Sequence, residues 1–250
     1  MEDEFDLRQY VPEEDARKTF AKVFDKSTIE TIHKLATKRY FDIVEFAIST
    51  GKEAHVFRAV DTSGNFRAVK IYKTETSDFK HMAQYIEGDR RFKGVKKNKR
   101  DIVFTWAKKE FKNLTLLTKA GVRVPMPIAQ MDNVVVMEFI GKNGEASPLL
   151  KDKDFPDSQK VYDFIVEAFV KMVQKAELVH ADLSQYNIIN NGDELVIIDC
   201  GQSVLTSHPK AEEFFERDVK NMAIYFQKIG IKTDFKALRA DIKAKKAEFS

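Results

Sequence analysis

Residues 178–204 read LVHADLSQYNIINNGDELVIIDCGQSV, and this stretch decides which fold is expected. Two short apolar runs bracket NNGD, a turn signal that predicts a β-hairpin. Before the hairpin, His180, Asp182 and Asn187 have the H-x-D-x-x-x-x-N spacing of phosphotransferase catalytic loops. In such loops a carboxylate meets the attacking hydroxyl, and an Asn carbonyl five residues later holds a metal ion on the phosphates. Each residue alone also fits a core histidine, a turn or a helix cap, but the flanking strands favour the catalytic interpretation.

A second acid, Asp199, ends the apolar run LVIID and is followed by Cys200 and Gly201. A carboxylate at the end of an apolar strand is costly to bury without a cation. The position suits a Mg²⁺ ligand and matches the kinase D-F-G motif, with Cys in place of Phe. The alternative is a strand-terminating Asp before a turn. The H-x-D loop upstream favours the metal ligand.

In the first half of the chain, strand alternation places Lys70 on the same face as Ala68, within AVKIY. A lysine on an otherwise apolar face needs an anionic partner or must reach solvent. Nucleotide phosphates and Glu110, on a helix predicted over 101–119, would meet that need. Upstream, STGKEAHV fits the kinase glycine-loop frame, although only one true glycine remains. The small residues and the valine of that frame are Ser49, Gly51, Ala54 and Val56.

Composition and charge narrow the class of protein. A chain of 250 residues with 43% hydrophobic content can bury a core without disulfide or metal cross-links. The balance of 42 basic and 39 acidic side chains is too even to indicate nucleic-acid binding by itself. Cys200 is the single cysteine, the start MEDEFD is acidic, and no apolar run approaches the roughly 18 residues of a membrane span. We expect a cytoplasmic protein that does not enter a membrane.

The order of elements predicts an α+β, two-lobed architecture, because strands dominate the first half and helices the second. We expect a helical N-terminal extension over 1–40 that packs on the N-lobe, an N-lobe over 41–140 and a C-lobe over 141–250. Within the N-lobe, RRFKGVKKNKR at 90–100 lies in a predicted flexible, basic insertion over about 74–100. Its default interpretation is a solvated, mobile loop. The alternative is a contact with RNA or DNA phosphates.

Six segments together resemble the RIO atypical protein serine/threonine kinases, and specifically the archaeal-like subfamily one. They are STGKEA, EFKNL, MEFIG, HADLSQYNII, IDCGQSV and HPKAEEFFERDVKN, and the likeness covers about residues 25–232. The resemblance implies a protein-kinase-like fold with an N-lobe of antiparallel sheet plus helix and a mostly helical C-lobe. Activation loop and peptide-docking subdomains are absent from the expected fold, because only six residues separate Gly201 from HPKAEE and no A-P-E follows.

The resemblance also implies roles for individual residues. Asp182 is the implied catalytic aspartate, Asn187 and Asp199 the metal ligands, and Lys70 the phosphate anchor paired with Glu110. The implied phosphate loop spans 49–54, and Met137 is the implied gatekeeper before the adenine-binding backbone. The full set for ATP is Ser49, Gly51, Lys52, Glu53, Ala54, Val56, Ala68, Lys70, Glu110, Met137, Glu138 and Ile140.

Cofactors, partners and activities follow from the same resemblance. It implies ATP with Mg²⁺ or Mn²⁺, serine autophosphorylation and a role in maturing the small ribosomal subunit, with rRNA or the pre-ribosomal particle contacted through 90–100. Slow ATP hydrolysis with a phosphoaspartate at Asp199 is also implied. Thr74, Thr76, Ser77 and Thr105 are the nearest candidate phosphorylation sites.

Two departures from ordinary kinases stand out: Ala181 replaces the Arg of H-R-D, and Ser184 occupies a usual Lys position. Loss of that lysine should slow phosphoryl transfer, because the chemistry depends on electrostatic stabilisation. Two alternative functions stay open. One is a small-molecule phosphotransferase of the aminoglycoside or choline kinase type. The other is an assembly factor that uses ATP to set its shape on a pre-ribosome.

Overall fold

The structure, a computed structural model, describes Val11, Glu14 and residues 24–75, 79–94 and 98–248. The chain divides into two units. The first comprises Met1–Glu87, Phe92–Phe111 and Met126–Phe139, and the second comprises Gly88–Arg91, Lys112–Pro125 and Ile140–Ser250. The last change of unit falls between Phe139 and Ile140, next to the expected boundary at 140. The short segments Gly88–Arg91 and Lys112–Pro125 belong to the second unit, although the sequence predicts them in the N-lobe.

The first unit is built on a five-stranded antiparallel sheet with the order β1-β2-β3-β5-β4. Its strands are β1 (Ile43–Thr50), β2 (Ala54–Val60), β3 (Phe66–Tyr72), β4 (Pro127–Met131) and β5 (Val134–Glu138). A hairpin at DTSGN, a turn signal in the sequence, joins β2 to β3. Asp61 Oδ1 accepts the N–H groups of Ser63 and Asn65 at 2.9 Å each, and Gly64 adopts a φ of 79°. The turn therefore forms from the residues that turn chemistry favours.

Helix α1 (Lys26–Thr37) precedes the sheet in sequence and packs into its core. Asp25 caps the helix by accepting the Thr28 N–H at 2.8 Å. Ile32 and Leu35 on its apolar face join Val69 and other sheet residues in one buried cluster. The rest of the helical extension expected over 1–40 falls largely on residues that lie outside the described part of the chain.

The insertion after β3 contains regular structure where the sequence predicts a loop. Helix α2 (Phe79–Ile86) is followed by a 3₁₀ turn at Arg90–Phe92. Tyr85 is fully buried, and its ring centroid lies 5.9 Å from that of Trp106. Apolar residues at helical spacing thus form a small amphipathic helix inside a polar segment. Residues 76–78 and 95–97, with Thr76, Ser77, Lys96 and Lys97, lie outside the described residues.

Helix α3 (Lys99–Lys119) begins two residues before the predicted start. Its first turn is capped by Asn98, whose Oδ1 accepts the Asp101 N–H at 2.8 Å. The helix ends as predicted at Gly121, which has a φ of 75°. Residues before Lys112 belong to the first unit and the later ones to the second.

The second unit is mainly helical. Its helices are α4 (Ser158–Gln174), α5 (Ala211–Lys228) and α6 (Phe235–Glu248). Short strands pair between them: β6 (Gly141–Lys142) with β7 (Glu145–Ala146), β8 (Leu178–Val179) with β11 (Val204–Leu205), and β9 (Ile188–Asn190) with β10 (Leu195–Ile197). The β9–β10 pair is the hairpin predicted at NNGD. Within the described ranges, no helix is both long enough and apolar enough to cross a membrane.

Candidate active site

One face of the sheet in the first unit collects four predicted nucleotide-binding side chains. Val56 on β2 pairs with Lys70 on β3, and Ala68 on β3 pairs with Met137 on β5. Directly paired residues of antiparallel strands point to the same face, as do residues two apart on one strand. The four side chains therefore line one surface, with a cation beside three apolar groups. Strand alternation predicts the shared face of Ala68 and Lys70, and strand pairing adds Val56 and Met137 to it.

Lys70 forms the predicted ion pair with Glu110 of helix α3. Its Nζ donates to Glu110 Oε1 at 2.7 Å, and Tyr72 donates its hydroxyl to Glu110 Oε2. Lys70 is 8% exposed and Glu110 is 1% exposed, so both charges are withdrawn from water. Both carboxylate oxygens have donors, which satisfies the buried anion. The hydrogen bond from Tyr72 to Glu110 was not predicted, although strand alternation puts Tyr72 on the same face as Lys70.

The loop at 49–54 closes the turn between β1 and β2. Gly51 donates its N–H to the Ala54 carbonyl at 2.9 Å. Lys73, just beyond β3, reaches back and donates from Nζ to the Gly51 carbonyl at 2.8 Å. Ser49, Gly51 and Lys52 are exposed. The loop is therefore a tight, accessible turn anchored at its tip by a lysine that sequence reasoning did not single out.

His55 directly follows this loop and is buried at the start of β2. Its Nδ1 lies 3.3 Å from Thr50 Oγ1, and its ring contacts Phe24 edge-on. Burial, and then the nearby charge of Lys73, lower the pKa of the His55 imidazole below 6.5. His55 is thus held neutral beside the loop.

The predicted adenine-binding backbone follows β5. Glu138 donates its N–H to the Met126 carbonyl at 2.9 Å, and its carboxylate accepts the Met126 N–H at 3.1 Å. Ile140 accepts the Ser147 N–H at 3.2 Å through its carbonyl. The Glu138 N–H and the Ile140 carbonyl are therefore committed within the protein.

In the second unit, the H-x-D loop brings Asp182 and Asn187 into direct contact. Asn187 donates from Nδ2 to the Asp182 backbone carbonyl at 2.8 Å and to its Oδ2 at 3.0 Å. Ser184 caps the intervening 3₁₀ turn by accepting the Tyr186 N–H. Because both bonds of Asn187 use its amide nitrogen, its carbonyl Oδ1 lies outside them. The amide is thus oriented with an oxygen left for a further partner.

The β9–β10 hairpin brings Asp199 close to the same loop. Ile188 pairs with Ile197, and the Asn187 carbonyl accepts the Ile198 N–H at 2.9 Å. Asp199 directly follows Ile198 in the chain. Its φ is 63°, a left-handed conformation that is uncommon for a residue with a side chain. Such conformations concentrate at functional sites. The hairpin therefore explains how two residues twelve positions apart come together.

His180 contacts the segment between β10 and Asp199. It is buried, and its Nε2 lies 3.1 Å from the Ile198 carbonyl on the strand that leads to Asp199. The imidazole thus ties the start of the H-x-D loop to the end of the hairpin. Of the interpretations left open by the sequence, the core histidine fits this contact.

Sequence reasoning missed Asp218 of helix α5, which anchors the H-x-D loop. Its carboxylate is fully buried and accepts the N–H of Ala181 at 2.7 Å and that of Leu183 at 2.9 Å. Arg217 donates to the Ala181 carbonyl. Burial raises the pKa of Asp218 to about 7, against the lowering effect of these donors. An available signal was an acid between Phe214 and Met222 on the apolar face of a helix.

The residues near Asp199 fit a divalent cation that is held partly by phosphates. Mg²⁺ takes oxygen ligands, commonly one or two carboxylates together with substrate phosphates. Asp199 offers a carboxylate and Asn187 offers Oδ1. Among the described residues, no group of three or more His, Cys, Asp and Glu side chains is arranged to hold a metal ion. The donors therefore suit a metal–nucleotide complex better than a self-contained metal centre.

An antiparallel sheet with a buried Lys–Glu pair, followed by a helical unit with an H-x-D-x-x-x-x-N loop, defines a kinase-like protein. The fold is similar to that of the Rio2 kinase from Chaetomium thermophilum, solved as an ADP/Mg²⁺-phosphoaspartate complex, with a TM-score of 0.63 and 22% identity. The match covers 86% of this chain and 65% of that chain. The predicted kinase-like α+β fold is confirmed.

Sequence comparison identifies the family. The RIO domain family model matches residues 55–238. The RIO-type serine/threonine-protein kinase Rio1 of Haloferax volcanii is 42% identical over 232 residues, which cover 93% of this chain and 79% of the relative. That of Methanocaldococcus jannaschii is 39% identical, covering 92% and 79%. The chain belongs to the RIO family of kinases. The predicted membership and the predicted enzyme class are confirmed, and the roles of single residues stay predictions.

Proposed function

We propose that this chain is an ATP- and Mg²⁺-dependent serine/threonine protein kinase that transfers the γ-phosphoryl group of ATP to a hydroxyl. One observation carries the proposal: Asn187 holds the Asp182 carboxylate through its side chain, and its backbone carbonyl accepts the N–H of Ile198, the residue before Asp199. A carboxylate so held can accept the proton of an attacking hydroxyl. The names of the curated relatives support the serine/threonine class.

The first unit would bind the nucleotide. Its Lys70–Glu110 pair would present an ammonium to the phosphates, as in other phosphoryl-transfer enzymes. Val56, Ala68 and Met137 would form apolar walls around adenine, because they share the face of Lys70. The loop at 49–54, with Lys52 and Glu53, would cover the phosphates. The Glu138 carbonyl and the Ile140 N–H are the backbone groups that adenine would use.

The second unit would hold the cation and the acceptor. Asp199 and Asn187 Oδ1 are the proposed ligands for Mg²⁺ or Mn²⁺. A divalent cation bound there would neutralise negative charge on the phosphates. Ser184 supplies no positive charge at its position beside Asp182, so we expect slow transfer compared with kinases that have a lysine there.

We further propose that Asp199 can itself accept the phosphoryl group during ATP hydrolysis. The Asp199 oxygen would attack the γ-phosphorus and ADP would leave. Water would then cleave the resulting acyl phosphate, releasing phosphate and restoring the carboxylate. The support is that Asp199 is exposed and that a structural relative was solved with a phosphoaspartate. Autophosphorylation of a serine or threonine is the competing outcome on this chain, and Thr74 and Thr105 are its described candidates.

A role in small ribosomal subunit maturation is the proposed biological setting, with contact through the basic run 90–100. Lys99 and Arg100 are exposed at the start of helix α3. Arg91 is different, because its guanidinium is bound to Asp89 and Asn113. Replacing Lys96, Lys97, Lys99 and Arg100 with Ser should flatten the salt dependence of RNA binding, since each lost phosphate contact removes nearly one unit of slope. An unchanged salt dependence would show that these residues of 90–100 do not contact RNA phosphates.

The test of the kinase proposal is labelled phosphate transfer by an Asp182→Asn variant. The variant should lose transfer but keep its ATP affinity, because Asp182 acts on the acceptor rather than on the nucleotide. Asp193→Asn is the matched control, since its side chain is 97% exposed in the turn of the same hairpin. Transfer by the Asp182→Asn variant at the wild-type rate would refute the assignment.

The same assay separates the alternative functions. Label on choline or an aminoglycoside, and none on protein, would support a small-molecule phosphotransferase. Nucleotide binding without transfer or hydrolysis, in the presence and absence of small-subunit particles, would support an ATP-gated assembly factor.

A further inference from the structure

The turn after Asp199 presents a side chain to the proposed catalytic residue. Gln202 donates from Nε2 to Asp182 Oδ2 at 3.3 Å. Asn187 donates to the same oxygen at 3.0 Å. Two neutral amides therefore hold one oxygen of the carboxylate from two directions. A carboxylate fixed in this way cannot rotate freely, which leaves its second oxygen in a defined direction.

The turn that presents Gln202 is itself clamped at both ends. Asn113 of helix α3 is fully buried, and its Nδ2 donates to the Cys200 carbonyl at 2.8 Å and to the Ser203 carbonyl at 2.9 Å. These carbonyls flank Gly201 and Gln202. The turn also closes on itself, because the Ser203 N–H donates to the Cys200 carbonyl at 3.2 Å. One amide group thus sets the position of the whole turn.

Asn113 is oriented by a buried ion pair from the insertion. Its Oδ1 accepts from Arg91 Nη1 at 2.9 Å. Arg91 also binds Asp89 through two guanidinium nitrogens, with Nη2 2.7 Å from Oδ2 and Nε 3.0 Å from Oδ1. The Asp89 side chain has no exposed surface. Because the guanidinium can only donate, it fixes which end of the Asn113 amide points to the turn.

The segment that carries Asp89 and Arg91 is seated closely on the same unit. Gly88 has a φ of 90°, and a Cβ on it would lie 2.9 Å from Pro209 Cδ and 3.1 Å from His208 Nε2. A side chain at Gly88 would therefore be strained and would displace the segment. The residue before Asp89 is thus packed closely against the side chains of His208 and Pro209.

We propose that Gln202 is a positioning residue for Asp182, and that Asn113, oriented by Arg91 and Asp89, holds the turn that presents it. The inference rests on the proposed function, because it assigns Asp182 the acceptor hydroxyl. It adds a set of residues that reach the catalytic loop from the insertion and from helix α3. The proposal assigns none of them a contact with the nucleotide.

The test compares Gln202→Met and Gln202→Glu with wild type in transfer of labelled phosphate from ATP to the chain itself and to casein. Met matches the size of Gln without its N–H, and the transfer rate should fall roughly 10-fold or more. Glu adds a second carboxylate against Asp182, so its rate should fall further. The KM for ATP and the affinity for Mg·ADP should stay within about two-fold of wild type, because the change affects the acceptor side.

Gln159→Met on helix α4 is the matched control, since it removes a surface amide bond to Asp163 and should leave the rate unchanged. A merely structural role of Gln202 predicts instead that Glu is tolerated at least as well as Met, and that KM rises together with the loss of rate. Either result would overturn the proposal. The positioning proposal is also overturned if Gln202→Met keeps the wild-type rate while Asp182→Asn is inactive. An active Asp182→Asn variant would instead refute the proposed kinase function.

The role of Asn113 is tested with Asn113→Asp, which keeps the acceptor for Arg91 but loses the donor to the turn. If Asn113 acts through Gln202, the Asn113→Asp and Gln202→Met losses should be less than additive in the double variant. Full additivity would overturn this part of the proposal. Should Asn113→Asp fail to fold, Arg91→Lys, which keeps the charge but not the fork, replaces it in the same cycle.

Discussion

Removal of the Glu110 carboxylate should lower the unfolding free energy of the first unit, because the carboxylate is buried with two donors. In Glu110→Leu, the Lys70 ammonium and the Tyr72 hydroxyl both lose this acceptor. The pair is buried, with side chains 10% and 2% exposed, so solvent cannot readily replace the carboxylate. Breaking such a pair from one side costs about 3–5 kcal/mol of unfolding free energy. We therefore expect a loss of about that size, and a loss of nucleotide binding.

Replacing all three groups should restore most of the stability but not the function. In the triple variant Lys70→Met, Tyr72→Phe, Glu110→Leu no charge or hydroxyl of the set stays buried, and apolar replacement of a buried pair is often neutral. We expect stability within about 1–2 kcal/mol of wild type, with ATP binding still absent. The single tryptophan, Trp106, is buried on the same helix and reports urea unfolding of this unit by fluorescence.

The control is Glu216→Leu, which breaks an exposed pair with Arg239 and should cost no more than about 1 kcal/mol. The reasoning is refuted if Glu110→Leu costs as little as this control. It is also refuted if the triple variant is as unstable as Glu110→Leu alone, because the cost would then come from packing and not from the uncompensated groups.

Three further predictions concern the proposed site. Asp199→Ala should weaken Mg²⁺-dependent binding of ATP as well as transfer, and titration with and without Mg²⁺ would show equal affinities if Asp199 is not a ligand. Ala68→Phe should lower ATP affinity at least 10-fold, since the ring would fill the apolar face, at a stability cost of about 1–3 kcal/mol; unchanged affinity in the folded variant removes Ala68 from the pocket. Burial, and then Lys73, lower the pKa of His55 below 6.5 in the folded protein. The folding stability that is present above pH 6.5 is therefore lost as the pH falls through the folded pKa. The His55→Gln variant should lose less stability over this range. Parallel stability curves for the two proteins between pH 7.5 and 4.5 would contradict this.

The local sequence pattern was sufficient to predict a site residue wherever a charged side chain lies on an otherwise apolar face. Lys70 stands out as a charge on an apolar strand face, and Glu110 as an acid on the inward face of a helix. The two lie 40 residues apart, yet both conflicts are resolved by one ion pair. Turn residues likewise predict the hairpins at DTSGN and NNGD, because only a few side chains favour those backbone conformations.

The insertion shows where local pattern is insufficient. Its many basic residues predict a solvated loop, but Asp89 is buried in an ion pair with Arg91, and Arg91 also donates to Asn113, 22 residues away. In the sequence, Arg91 looks like an ordinary surface charge, because its counter-ion Asp89 is only two residues away and its second partner, Asn113, lies on helix α3. Tyr85 is similar, since its burial depends on Trp106 of helix α3. Long-range partners therefore determine this segment.

The alanine in the H-x-D loop becomes understandable from the way the loop is anchored. The sequence shows only that the usual arginine has become Ala181. In the structure, residue 181 contributes its backbone: its N–H binds Asp218 and its carbonyl accepts from Arg217. Its φ is 68°, a conformation that small side chains tolerate better than β-branched ones. Because helix α5 holds this loop through main-chain groups, a side chain at 181 is not needed to position Asp182. The anchoring therefore depends on Asp218 and Arg217, two residues that the H-x-D motif does not include.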